Sequence, residues 1–237
     1  MTDLKLLRTC AAAGVLAGLL NLVGNGLHPS TLPSDTGEER LREIAENTLW
    51  LPTHAMIVVG LLASLFAFHG LDALLANGPG RSLSGLAMRW ATVAVAVGLV
   101  LIALDGFAVQ RIAEGWLQSP GAERATSFRV AAAVEELELT IFSVFLVVYF
   151  GLTFGLFAAA AAQSGQVRRW PASIATVTGV AAIGIGLYQL YFGLSNVTVV
   201  LFVTVWSIQP LWLIMVSIEL WRAARSGRTE RPSDAPG

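Results

Sequence analysis

The sequence predicts an all-α, polytopic six-helix transmembrane bundle with cytoplasmic N- and C-termini. Three observations carry that prediction. Only 13% of the 237 residues are charged while 55% are hydrophobic, against about 25% charged in a soluble domain. Six apolar runs are each long enough to cross the hydrocarbon core, which takes about 20 helical residues. They are roughly 9–27, 53–76, 90–110, 141–162, 172–192 and 197–221. The cations also divide unevenly between alternate sides of these runs. Lys5, Arg8, Arg81, Arg89, Arg168, Arg169, Arg222, Arg225, Arg228 and Arg231 fall on one side, and Arg40, Arg42, Arg111, Arg124 and Arg129 on the other. Short cytoplasmic loops carry the excess of Lys and Arg, so the first side faces the cytoplasm of a bacterial inner membrane.

Span 1 follows Lys5 and Arg8. Its run is longer than a signal-peptide core and no small-residue cleavage site follows, so it is expected to stay as a span. It ends at His28-Pro29. Thr36 and Glu39 form a capping box, in which hydroxyl and carboxylate satisfy orphan backbone N–H groups. Leu41, Ile44, Ala45, Thr48 and Leu49 then recur at helical spacing. An outer amphipathic helix is therefore expected over about 37–49, folded over the mouth of the bundle. Trp50-Leu51-Pro52-Thr53-His54 opens span 2, and Asn77-Gly78-Pro79-Gly80 closes it. After span 3, Ser119-Pro120 is a helix start, with Ser as cap and Pro in the first turn. Helix is expected to run from there into span 4. The chain ends in a disordered cytoplasmic tail, 227–237. Trp50 and Trp116 are expected at the outer membrane interface, with Trp90, Trp170 and Trp221 at the inner one.

Gly14-x-x-x-Gly18 and Gly151-x-x-x-Gly155 in spans 1 and 4 allow close helix approach. They offer surfaces for a homo- or hetero-oligomer. Asn196-Val197-Thr198 matches a glycosylation sequon but lies in a tight turn. The single cysteine, Cys10, permits no intramolecular disulfide and is expected to pack as a small hydrophobe. Net charge of −1 implies no nucleic-acid partner. No Walker loop, dinucleotide fingerprint, nucleophile elbow or paired cysteine motif is present. That argues against ATP-driven transport by this chain alone and against nicotinamide or flavin chemistry by a known motif.

Function has to come from polar groups in or near the bilayer, where an ionisable side chain costs about 2.5–3.5 kcal/mol at a helix centre and needs a partner or a purpose. Asp105 lies about 7 Å below the outer surface by helical rise. His28, His54, Glu135, Glu136 and Glu138 sit at similar outer depth, with Tyr188 and Gln189 near the outer end of span 5. Gln209, beside Pro210, is near the midplane of span 6. One reading makes this a ligand pocket drawing on His54, Asp105, Tyr188, Gln189 and Gln209, for a small or lipophilic molecule. A second is a divalent metal site using His28, His54, Asp105 and Glu135, since zinc takes imidazole and carboxylate ligands. A third is acid catalysis or proton transfer by Asp105 or Glu138, because desolvation favours the protonated carboxyl. Haem held by His28 and His54 is disfavoured, as both sit at the membrane edge. A bland arrangement is also open, with the glutamates solvated at a helix start and Asp105 paired with Arg111 or a tyrosine. On the inner side His69 and Asp72, three apart, share a helix face.

The layout, with Trp50 and His54 opening span 2 after the His28-Pro29 exit from span 1, resembles the small bacterial six-span membrane proteins of unknown function. That resemblance covers most of the chain and implies no activity and no functional residues.

Overall fold

The computed structural model describes residues 4–28 and 37–226. Among them all regular structure is helical: α1 (Leu4–Leu27), α2 (Gly37–Glu46), α3 (Trp50–Leu75), α4 (Arg81–Ile102), a π segment (Ala103–Val109), α5 (Gln110–Gln118), α6 (Gly121–Phe145), a second π segment (Leu146–Thr153), α7 (Phe154–Ser164), α8 (Arg169–Phe192) and α9 (Asn196–Ser226). The π segments join their neighbours without a break, so Arg81–Gln118 and Gly121–Ser164 are two long rods. Six helices are long and apolar enough to cross a membrane, which makes this a multi-pass integral membrane protein. Thr36 of the expected capping box, Pro29 and the tail 227–237 lie outside the described residues.

Local chemistry sets the helix ends. Gly165 terminates α7 at φ +67°, a left-handed conformation that glycine adopts without a Cβ clash. Pro171 sits in the first turn of α8, where its missing N–H removes no bond. Ser195 opens α9: the Thr198 N–H donates to Ser195 Oγ at 3.2 Å, and the Ser195 N–H donates to Thr198 Oγ1 at 3.0 Å. The sequon threonine is thus a buried capping residue. Ser119 acts opposite to expectation. Its hydroxyl donates to the Gly115 carbonyl at 2.9 Å and closes α5, while α6 begins after Pro120 without a side-chain cap.

The bundle excludes lipid from one aromatic core. Phe68, Phe154, Phe157 and Leu213 are fully buried there, and Phe68 and Phe157 stack at 5.0 Å. Val177, Val180, Val197 and Val200 point outward, as a helix facing hydrocarbon requires, its backbone bonds being satisfied internally. Small residues set the crossings. A Cβ on Gly14 would strike the Ser217 hydroxyl, and one on Gly18 would lie 2.8 Å from the Pro210 carbonyl, so α1 lies directly on α9. A Cβ on Gly179 would stand 2.7 Å from Gly155 Cα, where α8 crosses α7. Both glycine motifs are thus packed against neighbouring helices of the same bundle.

One end of the bundle carries a cap. Leu41 and Ile44 of α2 bury against Val109, Ala113, Trp116 and Ala131 of the first π segment, α5 and α6. Arg40 holds Glu135 through two bonds, Nη2 to Oε2 at 2.6 Å and Nε to Oε1 at 2.9 Å. The expected outer helix is present but ends at Glu46, where Asn47 Oδ1 accepts the Leu49 N–H at 2.9 Å and turns the chain into α3. Trp50 and Trp116 do not present their rings at the surface. They are 3% and 1% exposed, because the cap covers them. Trp170 and Trp221 remain exposed near the opposite end.

Candidate functional site

Three side chains meet under the cap. His54 lies in the first turns of α3, His28 directly follows α1, and Asp105 lies in the first π segment. His54 Nε2 is 2.9 Å from Asp105 Oδ2, His28 Nε2 is 3.4 Å from the same oxygen, and the two Nε2 atoms are 3.2 Å apart. His54 is fully buried, and the other two are largely so. These atoms form a triangle assembled from residues 26 to 77 positions apart.

Local sequence places each corner. Residues 50 and 54 are one turn apart, so His54 Nδ1–H donates to the Trp50 carbonyl at 2.7 Å, which fixes the ring and turns Nε2 toward Asp105. The Trp50 indole lies beside both imidazoles, with ring centroids 4.6 Å from His54 and 5.4 Å from His28. Its Nε1–H donates to the Gly106 carbonyl at 3.1 Å. That bond ties α3 to the π segment that carries Asp105. π-Bulges interrupt the regular backbone ladder and are frequent at functional sites. A Cβ on Gly106 would lie 2.6 Å from the His54 ring, so glycine is what lets the two helices approach.

Beside the triangle opens a cavity of about 570 Å³. Toward the cap it is lined by Asn25, His28, Arg40, Asp105, Glu135 and Glu138, and further in by Leu61, Phe145, Phe150, Phe202 and Trp206. Both amide atoms of Asn25 are buried and have no partner among the described residues.

The other candidate residues go elsewhere. Asp105 faces two histidines rather than Arg111 or a tyrosine. Glu135 lines the cavity but is bound to Arg40, which sets it apart from the triangle. Glu138 lines the cavity wall. Tyr188 is exposed on the outside of α8, against Phe192. Gln189 is buried against Ser143, whose hydroxyl donates to its Oε1 at 3.4 Å. Gln209 donates to the Phe150 carbonyl at 2.8 Å and so ties α9 to the second π segment. Neither glutamine lines the cavity. On the far side Asp72 accepts the Ser84 hydroxyl at 2.7 Å, and His69 is exposed.

Two contributors were missed in the sequence: Trp50 as the residue that orients His54, and Gly106 as the clearance for its ring. The Trp-x-x-x-His spacing was a usable signal for the first, because residues four apart stack on a helix. Nothing local marks the second. No protein-family model, no curated protein and no solved structure matches this chain. The functional reading therefore rests on the chemistry of the site.

Proposed function

We propose that the protein is a bacterial cytoplasmic-membrane protein that binds a small lipophilic molecule with a polar head, seated in the cavity under the cap. The observation that carries this reading is the change along the cavity wall from charged and amide groups to aromatic and aliphatic ones. Small-molecule pockets have volumes of about 300–1,000 Å³, mostly apolar walls and a few fixed polar groups; about 570 Å³ falls in that range. The head group lies near His28, Asp105 and the unpartnered Asn25 amide, and the tail near Phe145, Phe150 and Phe202. Val203 lines the cavity and is 49% exposed, which supports access from the lipid between α1 and α9.

A second reading shares the cavity. Asp105 and Glu138 both line it, which favours an intramembrane enzyme acting on a lipophilic substrate through these carboxyls. Glu138→Gln separates the two: it abolishes turnover of a bound ester-linked amphiphile while leaving its binding intact if the protein is an enzyme.

The test of the binding reading is to fill the space. Leu139→Trp narrows the cavity from α6. The expected result is loss, by tenfold or more, of affinity for a fluorescent single-chain amphiphile in detergent, with an unchanged elution profile and helical content. Unchanged affinity in that folded variant would sink the reading.

A further inference from the structure

We propose that His28, His54 and Asp105 form a divalent transition-metal centre of the zinc type. The proposal rests on the same site as the ligand reading but stands on separate observations. The first is the triangle itself. Ligand atoms of a tetrahedral site with bonds of about 2.0–2.2 Å stand about 3.4 Å apart. The three separations here are 2.9, 3.2 and 3.4 Å.

The second observation is the supply of lone pairs. The Trp50 carbonyl takes the Nδ1–H of His54, so in the neutral ring Nε2 offers a lone pair toward Asp105, whose carboxylate oxygen offers lone pairs as well. His28 Nε2 stands 3.2 Å from His54 Nε2 and 3.4 Å from Asp105 Oδ2. A single cation inside the triangle takes one lone pair from each corner.

Preorganisation is the third. His54 is held by a backbone carbonyl, the kind of outer-shell bond that orients metal-ligating histidines. Asp105 is held by its π segment, which the Trp50 indole ties to α3. Gly106 leaves room for the His54 ring. Every one of these restraints acts without the metal.

Donor type narrows the ion. Two imidazole nitrogens and one carboxylate suit zinc and its first-row neighbours, whereas calcium and magnesium take oxygen shells. The two Nε2 atoms are too close together to flank a haem iron from opposite faces. Three protein ligands leave a four-coordinate ion one further position. Because His28 and Asp105 also line the cavity, that position is suited to an oxygen of the bound molecule's head group.

The experiment uses the full-length, tag-free protein purified in detergent. Metal content is measured by mass spectrometry, followed by titration of the chelator-treated protein with Zn²⁺ against a chromophoric chelator, and with Co²⁺. The expected result is one zinc per chain, strong visible bands of four-coordinate cobalt, and a loss of at least 100-fold in Zn²⁺ affinity in both His28→Ala and Asp105→Asn. His28 is the more exposed of the two histidines; helical content and elution volume are recorded for each variant. Folded wild-type protein that takes up neither ion overturns the proposal. So does uptake that both variants leave unchanged, since the ion then sits elsewhere. Amphiphile affinity measured on the chelator-treated protein separates the two ideas. Lipid binding without metal binding removes only the metal centre, and metal binding without lipid binding removes only the ligand reading.

Discussion

Gly106 has no room for a side chain. Its missing Cβ is where the His54 ring passes, and its carbonyl receives the Trp50 indole. Single residues therefore set the site at two removes from the ligand atoms themselves. Gly106→Ala adds one methyl group against a fully buried imidazole. Overpacking of a tight core costs about 1–3 kcal/mol, and here the ring that must shift is a corner of the triangle. The expected outcome is a lowered unfolding midpoint in detergent together with weaker occupation of the site, read by thermal unfolding and cobalt absorption on the same sample. A variant that is less stable but occupies the site normally would show that the His54 ring shifts without losing its place.

At the level of elements, the two π segments share a design. Each interrupts a long apolar rod, and each has a backbone carbonyl taken by a side chain of another helix: Gly106 by Trp50, and Phe150 by Gln209. In hydrocarbon a freed carbonyl has no water to bond, so a protein donor must reach it. The cap is the other element-scale device. Arg40 and Glu135 join α2 to α6 through a bidentate pair, the geometry in which an arginine–carboxylate bond is strongest. Arg40→Glu places two carboxylates against each other and is expected to lift α2 from the bundle; combining it with Glu135→Arg reverses the pair and restores the cap. Hydrogen exchange along Leu41–Ile44 reads this directly. Exchange that stays slow in the single variant would mean that Leu41 and Ile44 alone hold α2 in place.

Across the whole molecule, the charge asymmetry predicts that the capped end lies outside the cell, and one native cysteine makes that easy to check. Cys10 is buried, so the wild type is expected to remain unlabelled by a membrane-impermeant maleimide. Glu46→Cys should label in intact cells and Gln166→Cys only after permeabilisation; the opposite pattern would invert the molecule. The six spans were legible in the sequence because bilayer thickness fixes their length and hydrocarbon fixes their composition, both local requirements. Span edges were less so: α3 begins before its apolar run and α4 continues through a π segment into α5, where the cap replaces lipid and water as their surroundings, while α1 begins at Leu4 because Leu7 and Ala11 pack against Leu74 and Leu220 at the opposite end. The same cap buries Trp50 and Trp116, whose rings were expected to face the outer interface. Among polar residues, sequence depth put His28, His54, Asp105, Glu135, Glu136 and Glu138 at similar levels, but it gave no direction around the helix axes. Rotation about those axes, fixed by Gly106, by the Gly14 and Gly18 face on α9 and by the Arg40–Glu135 pair, brought two histidines and an aspartate together, bound Glu135 to Arg40 and turned Tyr188 outward. The sequence by itself determined how many helices of this chain are long and apolar enough to cross the membrane and gave an expected depth for its polar groups, since both follow from the chemistry of a single helix in lipid. Only the tertiary structure decided which of those groups meet, since that depends on contacts between helices far apart in the chain.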